Sequence, residues 1–240
     1  MGIQALIRAM SSDEAFFQLS EDEWPLNKVL KYESIKEVNL KRMVHNFDAG
    51  PSDLLPGYYE GGMKTWECSL DLVAYLRDCF EFKDGMDVFE IGCGSALPSV
   101  YLASQDYPSS SFSLQDFNES VLRAVSIPNL VLNSSKLACK KFFFYYGHWR
   151  DIKLKTSFDL ILTSETIYNP EKYENLLNLM KQGLRRGGIV LVAAKNYYFG
   201  EGLGGGMEDF GECARIAGFK TEVVWKSERG IKRSIMRLTL

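Results

Sequence analysis

The sequence predicts an α/β fold: a mostly parallel sheet of seven strands with helices on both faces, finished by a C-terminal antiparallel hairpin. Three observations predict it. From Asp87 to Ala194, short apolar, β-branched or aromatic runs alternate with helical patterns, and that alternation builds parallel βαβ units. The last two such runs are separated only by Ser227–Gly230, which reads as a hairpin turn. Between the first strand and first helix of the alternating region lies Gly-Cys-Gly, a bend at a strand end.

Residues 1–50 read as a mixed N-terminal extension, with helices expected around Gly2–Met10 and Asp13–Leu19. Residues 51–240 read as one domain, its entry punctuated by Gly50, Pro51, Pro56 and Gly57. Trp66–Phe80 carries Leu70, Val73, Ala74 and Leu76 at the spacing of one helix face. Strands follow at Asp87–Ile91, Ser111–Gln115, Lys141–Tyr146, Phe158–Thr163 and Gly188–Ala194. Helices are expected at Ala96–Gln105, Glu119–Ser126 and Glu171–Leu184, with Arg185–Gly187 as the break before the fifth strand. Glu208–Ala217 reads as a helix stopped by Gly218, ahead of strands at Phe219–Lys226 and Ile231–Leu238.

With 240 residues, 46% of them hydrophobic and 25% charged, the chain can bury a large core without metal or disulfide staples. The net charge of −3, with both signs mixed, argues against a dedicated nucleic-acid surface. Five cysteines without a Cys-x-x-Cys pair argue against a disulfide framework and for a reducing compartment. Two histidines, His45 and His148, offer too little for a structural zinc site, so no metal is expected. The first residues carry Arg8, Asp13 and Glu14 and do not read as a secretory signal. Leu6 breaks the myristoylation pattern, and no apolar run is long enough to span a bilayer. These features lead us to expect a soluble intracellular protein.

The chemistry starts at Val88-Phe-Glu-Ile-Gly-Cys-Gly-Ser-Ala-Leu-Pro98. Gly92 and Gly94 allow a ligand to approach backbone, and the following helix start favours an anionic group. The third glycine of a dinucleotide fingerprint would fall at Leu97, which disfavours a nicotinamide or flavin enzyme. Glu90, at the strand end, can meet an ammonium group or stand as a solvated carboxylate. Asp116, 22 residues after Gly94, can accept hydrogen bonds from both hydroxyls of a ribose, or cap the next helix. Tyr146-Gly-His-Trp149 follows the third strand, where an aromatic can stack on adenine. Ser164-Glu-Thr-Ile-Tyr168 follows the fourth strand, at the rim where cofactor and substrate meet, and can equally be a helix start.

Together these elements resemble a Rossmann-like, seven-β-strand methyltransferase dependent on S-adenosylmethionine. More specifically, the chain resembles the eukaryotic protein-histidine N-methyltransferases that act on a large-subunit ribosomal protein. The resemblance rests on Asp53-Leu-Leu-Pro-Gly-Tyr-Tyr-Glu-Gly-Gly-Met-Lys-Thr-Trp-Glu-Cys68, on Leu114–Asn118, on Phe158–Pro170 and on Lys195–Gly200. It implies that Thr65, Trp66, Glu67, Cys68 and Ser69 lie in a segment covering the cofactor. Gly92 would belong to the glycine turn, and Asp116, Phe117 and Asn118 would hold the ribose side. Gly147, His148 and Trp149 would border the adenine, with Ser164 beyond the fourth strand. A protein substrate and a cytoplasmic and nuclear location are also implied, without a membrane or direct nucleic-acid contact.

A sulfonium methyl is already electrophilic, so the transfer needs no metal; placement of the acceptor is the main task. A neutral imidazole carries its lone pair on one nitrogen, and a carboxylate or amide must hold the other N–H. Glu165 is the first candidate for that task, with Asn169 and Asn196 next; Glu165 can also simply complement a helix dipole. Tyr168, Tyr197 and Tyr198 can shape the pocket, and Gly204–Gly206 can form a lid or an inert surface loop. A lysine-directed methyltransferase and a non-catalytic cofactor-binding adapter are the competing functions.

Overall fold

The structure, a computed structural model, describes residues 16–19, 32–36, 39–43, 60–105, 107, 110–133, 141–199, 204–228 and 230–240. The helix expected at Gly2–Met10 and the turn at Gly50–Gly57 lie outside these residues.

In chain order the elements are β1 (Phe16–Phe17), β2 (Tyr32–Ile35), β3 (Leu40–Met43), α1 (Glu67–Asp78), β4 (Asp87–Ile91) and α2 (Leu97–Ser104). Then come β5 (Ser111–Asp116), α3 (Glu119–Val121), a π turn (Leu122–Ser126), α4 (Ile127–Asn133), β6 (Lys141–Tyr146) and β7 (Phe158–Ser164). The chain ends with α5 (Tyr173–Gly183), β8 (Leu184–Lys195), α6 (Met207–Ile216), β9 (Lys220–Lys226) and β10 (Arg233–Thr239).

Among the described residues the main sheet has eight strands, not the expected seven, in the order β1-β6-β5-β4-β7-β8-β10-β9. Strands β4 to β8 pair in parallel, and β10 pairs antiparallel with both β8 and β9, as the hairpin pattern predicts. The extra strand is β1, where a helix was expected. Phe16 and Phe17 pair with Tyr145 and Phe144 of β6, with ring centroids 4.9 Å and 5.0 Å apart. Cross-strand aromatic contacts on an otherwise open edge outweigh the local helical pattern. The β2–β3 pair stands apart from the sheet and is tied to the end of α4 by two bonds between Asn133 and the Lys41 backbone.

Two further elements depart from expectation. The helix after β5 continues past Ser126 to Asn133 through a π turn. Pro128 explains the turn: it has no N–H to donate, and its ring crowds the carbonyl of Ala124. Arg185–Gly188 belong to β8 but bulge from it, because Phe158 pairs with Leu184 while Leu160 pairs with Ile189. Arg185 anchors that bulge on Asp87 and Asp159 at the amino end of the sheet.

Alternate residues of each strand feed two cores. Val88, Phe112, Leu114, Leu160 and Leu162 pack under α1, α2 and α4. Phe89, Ile91, Ile161, Val190 and Val192 pack under α5 and α6. Burial on both faces is why these strands read as continuous apolar runs. It also assigns the polar residues: Glu90 and Asp116 share the α2 face, whereas Gln115 faces α5. Strand order reverses on either side of β4, so the crevice for a ligand lies beyond its carboxyl end.

Candidate active site

A cleft of about 920 Å³, part of it open to solvent, lies at that carboxyl edge. The β4 bend forms its floor. Gly92 and Gly94 have φ of 60° and 49°, and a side chain on Gly92 would come within 2.5 Å of Thr166. Only glycine takes both positions without strain. Ser126 of the π turn donates to the Gly94 carbonyl at 2.7 Å, and Asn129 of α4 to that of Ser95 at 2.8 Å. The extended helix thereby fixes the bend from behind.

Asp116 closes the β5 side. Its two oxygens accept the backbone N–H groups of Gly94 at 2.9 Å and Asn118 at 3.1 Å. Burial pushes its carboxyl up to about 6 against these stabilising bonds. Gln115, fully buried, joins three strand tips on the opposite face of β5. Its carbonyl accepts Gly92 N at 3.0 Å and Trp149 Nε1 at 3.1 Å, and its amide donates to Gly147 O at 3.0 Å. Trp149 is thus held at the wall of the cleft, beside Phe117 and His148, whose rings meet edge to face at 4.8 Å.

The other wall is made of side chains from distant segments. Glu165, at the tip of β7, has a left-handed φ of 57° that its N–H bond to Ala193 O holds in place. Such strain in a non-glycine residue is commonly stored at functional sites. One Glu165 oxygen accepts Cys68 Sγ–H at 2.7 Å and the other accepts the Tyr198 hydroxyl at 2.7 Å. Further along, Glu60 accepts from the Tyr168 hydroxyl and from Lys172 Nζ, the latter at 2.7 Å. Burial first, then Glu60, pushes the Tyr168 phenol far above its usual range, so it remains a donor.

The model of the methyltransferase domain matches residues 82–206, half of the chain. The chain belongs to the methyltransferase domain family. It is 41% identical over 171 residues to the histidine protein methyltransferase 1 homolog of Dictyostelium discoideum, covering 69% of this chain and 52% of that one. With the homolog of Rattus norvegicus it shares 34% over 241 residues, 85% of this chain and 65% of that one. The chain therefore spans between about half and two thirds of these curated relatives. Among solved structures, the glycopeptide N-methyltransferase MtfA, complexed with S-adenosylhomocysteine, superposes with a TM-score of 0.54 at 10% identity. That match covers 72% of this chain and 86% of the other, and shows the shared fold.

In this methyltransferase domain the cleft brings together Trp66, Ser69, Gly92, Gly94, Asp116 and Phe117 with Gly147, His148, Trp149, Ser164 and Glu165. Other sequence candidates stand off it. Glu90 is 1% exposed and sits beneath the bend, where its carboxylate accepts Ser99 N of α2 at 2.9 Å. Glu90 supports the start of α2 there, and its other carboxylate oxygen is buried with no hydrogen-bond partner among the described residues. Glu67 points outward to Arg233 at 3.1 Å, as an acid in the first turn of α1. Cys68 lies behind Glu165 and not on the cleft surface. Thr65 and Asn118 flank the cleft without lining it. Asn169 caps a short helical turn by accepting Glu171 N at 2.9 Å, and Asn196 accepts the Ser234 hydroxyl at 2.8 Å. Both amides are thereby engaged away from the cleft. The described glycines of the lid segment are anchored: Gly204 N bonds Tyr168 O and Gly205 O accepts Tyr198 N.

Sequence reasoning passed over Gln115, Thr166, Glu60 and Lys172. A polar residue next to Asp116 inside an otherwise apolar run was a usable signal for Gln115, because a buried amide must find partners. Glu60 and Lys172 sit 112 positions apart, and no local pattern links them.

Proposed function

We propose that this domain transfers a methyl group from S-adenosylmethionine to an imidazole nitrogen of a histidine in a protein, with a large-subunit ribosomal protein as the substrate. The observation that carries the reading is Glu165, a carboxylate fixed at the cleft wall beside the glycine bend. The histidine methyltransferase names of the relatives, and the motifs shared with that family, support the choice of acceptor.

The residues present suit the cofactor. Ser69 Oγ is buried at the cleft with no hydrogen-bond partner among the described residues, an unmet polar group of the sort a polar ligand satisfies. Gly92 and Gly94 line the cleft with bare backbone, and a Cβ on either would press on Thr166 or on the Gly62 backbone. Asp116 would hold the ribose hydroxyls, since it lines the cleft and a carboxylate has about four acceptor sites, more than its backbone bonds occupy. Trp149 would border the adenine, and the bend would receive the amino-acid end. When bound, S-adenosylmethionine supplies an electrophilic methyl on a sulfonium, so no metal is needed for activation.

Glu165 does the protein's share of the chemistry. Its carboxylate accepts the N–H of the incoming imidazole and so selects the tautomer whose other nitrogen bears the lone pair. Its fixed position converts an encounter into an aligned approach. Lys64 and Lys195 lie over the Trp66 ring at 4.8 Å and 5.4 Å, which gives the entrance a positive rim beside an aromatic wall.

The test is to incubate the protein with methyl-labelled cofactor and proteins of the large ribosomal subunit, then map the label by mass spectrometry. Label on a histidine is the expected outcome. Label on lysine would overturn the histidine reading in favour of a lysine-directed enzyme, and binding without transfer would favour an adapter.

A further inference from the structure

We propose that Tyr198 and Cys68 are positioning residues that clamp the Glu165 carboxylate and thereby decide which imidazole nitrogen receives the methyl. The proposal rests on the reading of Glu165 given above. It assigns Cys68 a place behind the reacting groups, unlike the cofactor-covering role that the family resemblance implies for it.

The clamp converges from three elements. Glu165 stands at the tip of β7, Cys68 in the first turn of α1, and Tyr198 in the segment after β8. Both donors reach the carboxylate at 2.7 Å, one on each oxygen. The Tyr198 oxygen in turn accepts Lys195 N at 3.3 Å, and Tyr198 N is bonded to Gly205 O at 3.2 Å. Its neighbours Tyr197 and Phe199 are 59% and 86% exposed, so the segment turns one aromatic inward between two that face solvent.

Burial, and Glu165 itself, push the Cys68 thiol and the Tyr198 phenol far above their ordinary ranges. Both groups therefore stay protonated across the working pH range and can only donate to Glu165. A carboxylate has about four lone-pair sites, so two donors fix its plane and leave acceptor capacity toward the cleft. A carboxylate held in plane receives the imidazole N–H from one direction. If it rotates, the alternative tautomer can be accommodated, and the methyl can reach the other nitrogen.

The test compares wild type with Tyr198→Phe, Cys68→Ala and Cys68→Ser. Tyr198→Phe is expected to lower kcat about 10-fold or more, a misplacement effect. Cofactor Kd and substrate KM should stay within about twofold, which also shows that the variant is folded. Its product should contain both N-methyl isomers where wild type gives one. Cys68→Ser, which keeps a donor, should recover much of what Cys68→Ala loses. Independently of turnover, the S–H stretch isolated as wild type minus Cys68→Ala should shift in Glu165→Gln. Wild-type kcat and a single isomer in both Tyr198→Phe and Cys68→Ala would overturn the clamp, as would an S–H band indifferent to Glu165→Gln. If the wild type methylates lysine, the histidine reading falls, while the ratio of variant to wild-type kcat still decides whether the clamp acts.

Discussion

The two walls of the cleft are built differently. The β4–β5–β6 wall is held by backbone amides bonded to buried side chains: Gly92 to Gln115, and Gly94 and Asn118 to Asp116. The β7–β8 wall is held by side chains bonded to side chains, through Cys68–Glu165–Tyr198 and Tyr168–Glu60–Lys172. A wall of backbone amides has little conformational freedom and suits a constant ligand. One made of side chains can be retuned by single substitutions, which suits a variable acceptor. Substitutions on the first wall should therefore change stability and cofactor affinity, and those on the second should change turnover.

The largest expected effect is on the second wall. Glu165→Gln should lower kcat about 100-fold, the scale of a misplaced reacting group. Cofactor affinity, measured by calorimetry, should be nearly unchanged. Comparable losses in both quantities would erase the distinction between the walls.

That contrast also explains what the sequence revealed. The glycine bend, Asp116 and the Trp149 segment lie within a few residues of recognisable strand ends, because backbone-built sites have local signatures. Parallel strands β4 to β8 announced themselves through apolar runs, and the hairpin through its short turn. Strand β1 did not, because Phe16 and Phe17 are placed by the aromatic rings of β6, more than a hundred residues away. Glu90 was assigned to the cleft because its neighbours are there, yet strand alternation turns it under α2. Partners of Glu165 come from positions 97 residues before it and 33 after it, beyond any spacing rule.

Glu90 supplies the next test. Burial pushes its carboxyl from an ordinary 4.5 up to about 7, so the folded protein binds a proton more tightly than the unfolded chain. Between these values stability falls as pH rises; below 4.5 the penalty is absent, and above 7 it is complete. The penalty is on the order of 3 kcal/mol. In Glu90→Gln the amide oxygen can still accept Ser99 N, so the variant should match wild type near pH 4.5 and exceed it near pH 8. Urea denaturation at both pH values checks this, and parallel wild-type and variant curves would exclude the buried charge as the cause.

Gln115→Leu removes a residue with no ligand role of its own but with three bonds to the tips of β4 and β6. It strands Gly92 N, Trp149 Nε1 and Gly147 O, of which the buried part should cost about 2 kcal/mol. The cofactor Kd should rise in parallel while kcat at saturation holds. A stable variant with a slower kcat would reverse the assignment of this wall.

The smallest effect sharpens the comparison most, because it asks whether the first wall is passive. With its carboxyl pushed up to about 6, Asp116 is partly protonated at mildly acidic pH in the free protein. Ribose hydroxyls donate best to the ionised form, so cofactor affinity should rise with pH through about 6 and level off above 7. Asp116→Asn can accept only one of Gly94 N and Asn118 N, with its NH2 facing the other, and cannot ionise. It should bind about 10-fold more weakly at pH 8, the worth of a charge-assisted bond, and lose the pH dependence. Wild-type affinity that stays flat from pH 5 to 8 would mean that both Asp116 oxygens serve the backbone alone, and that the ribose is held elsewhere on this wall.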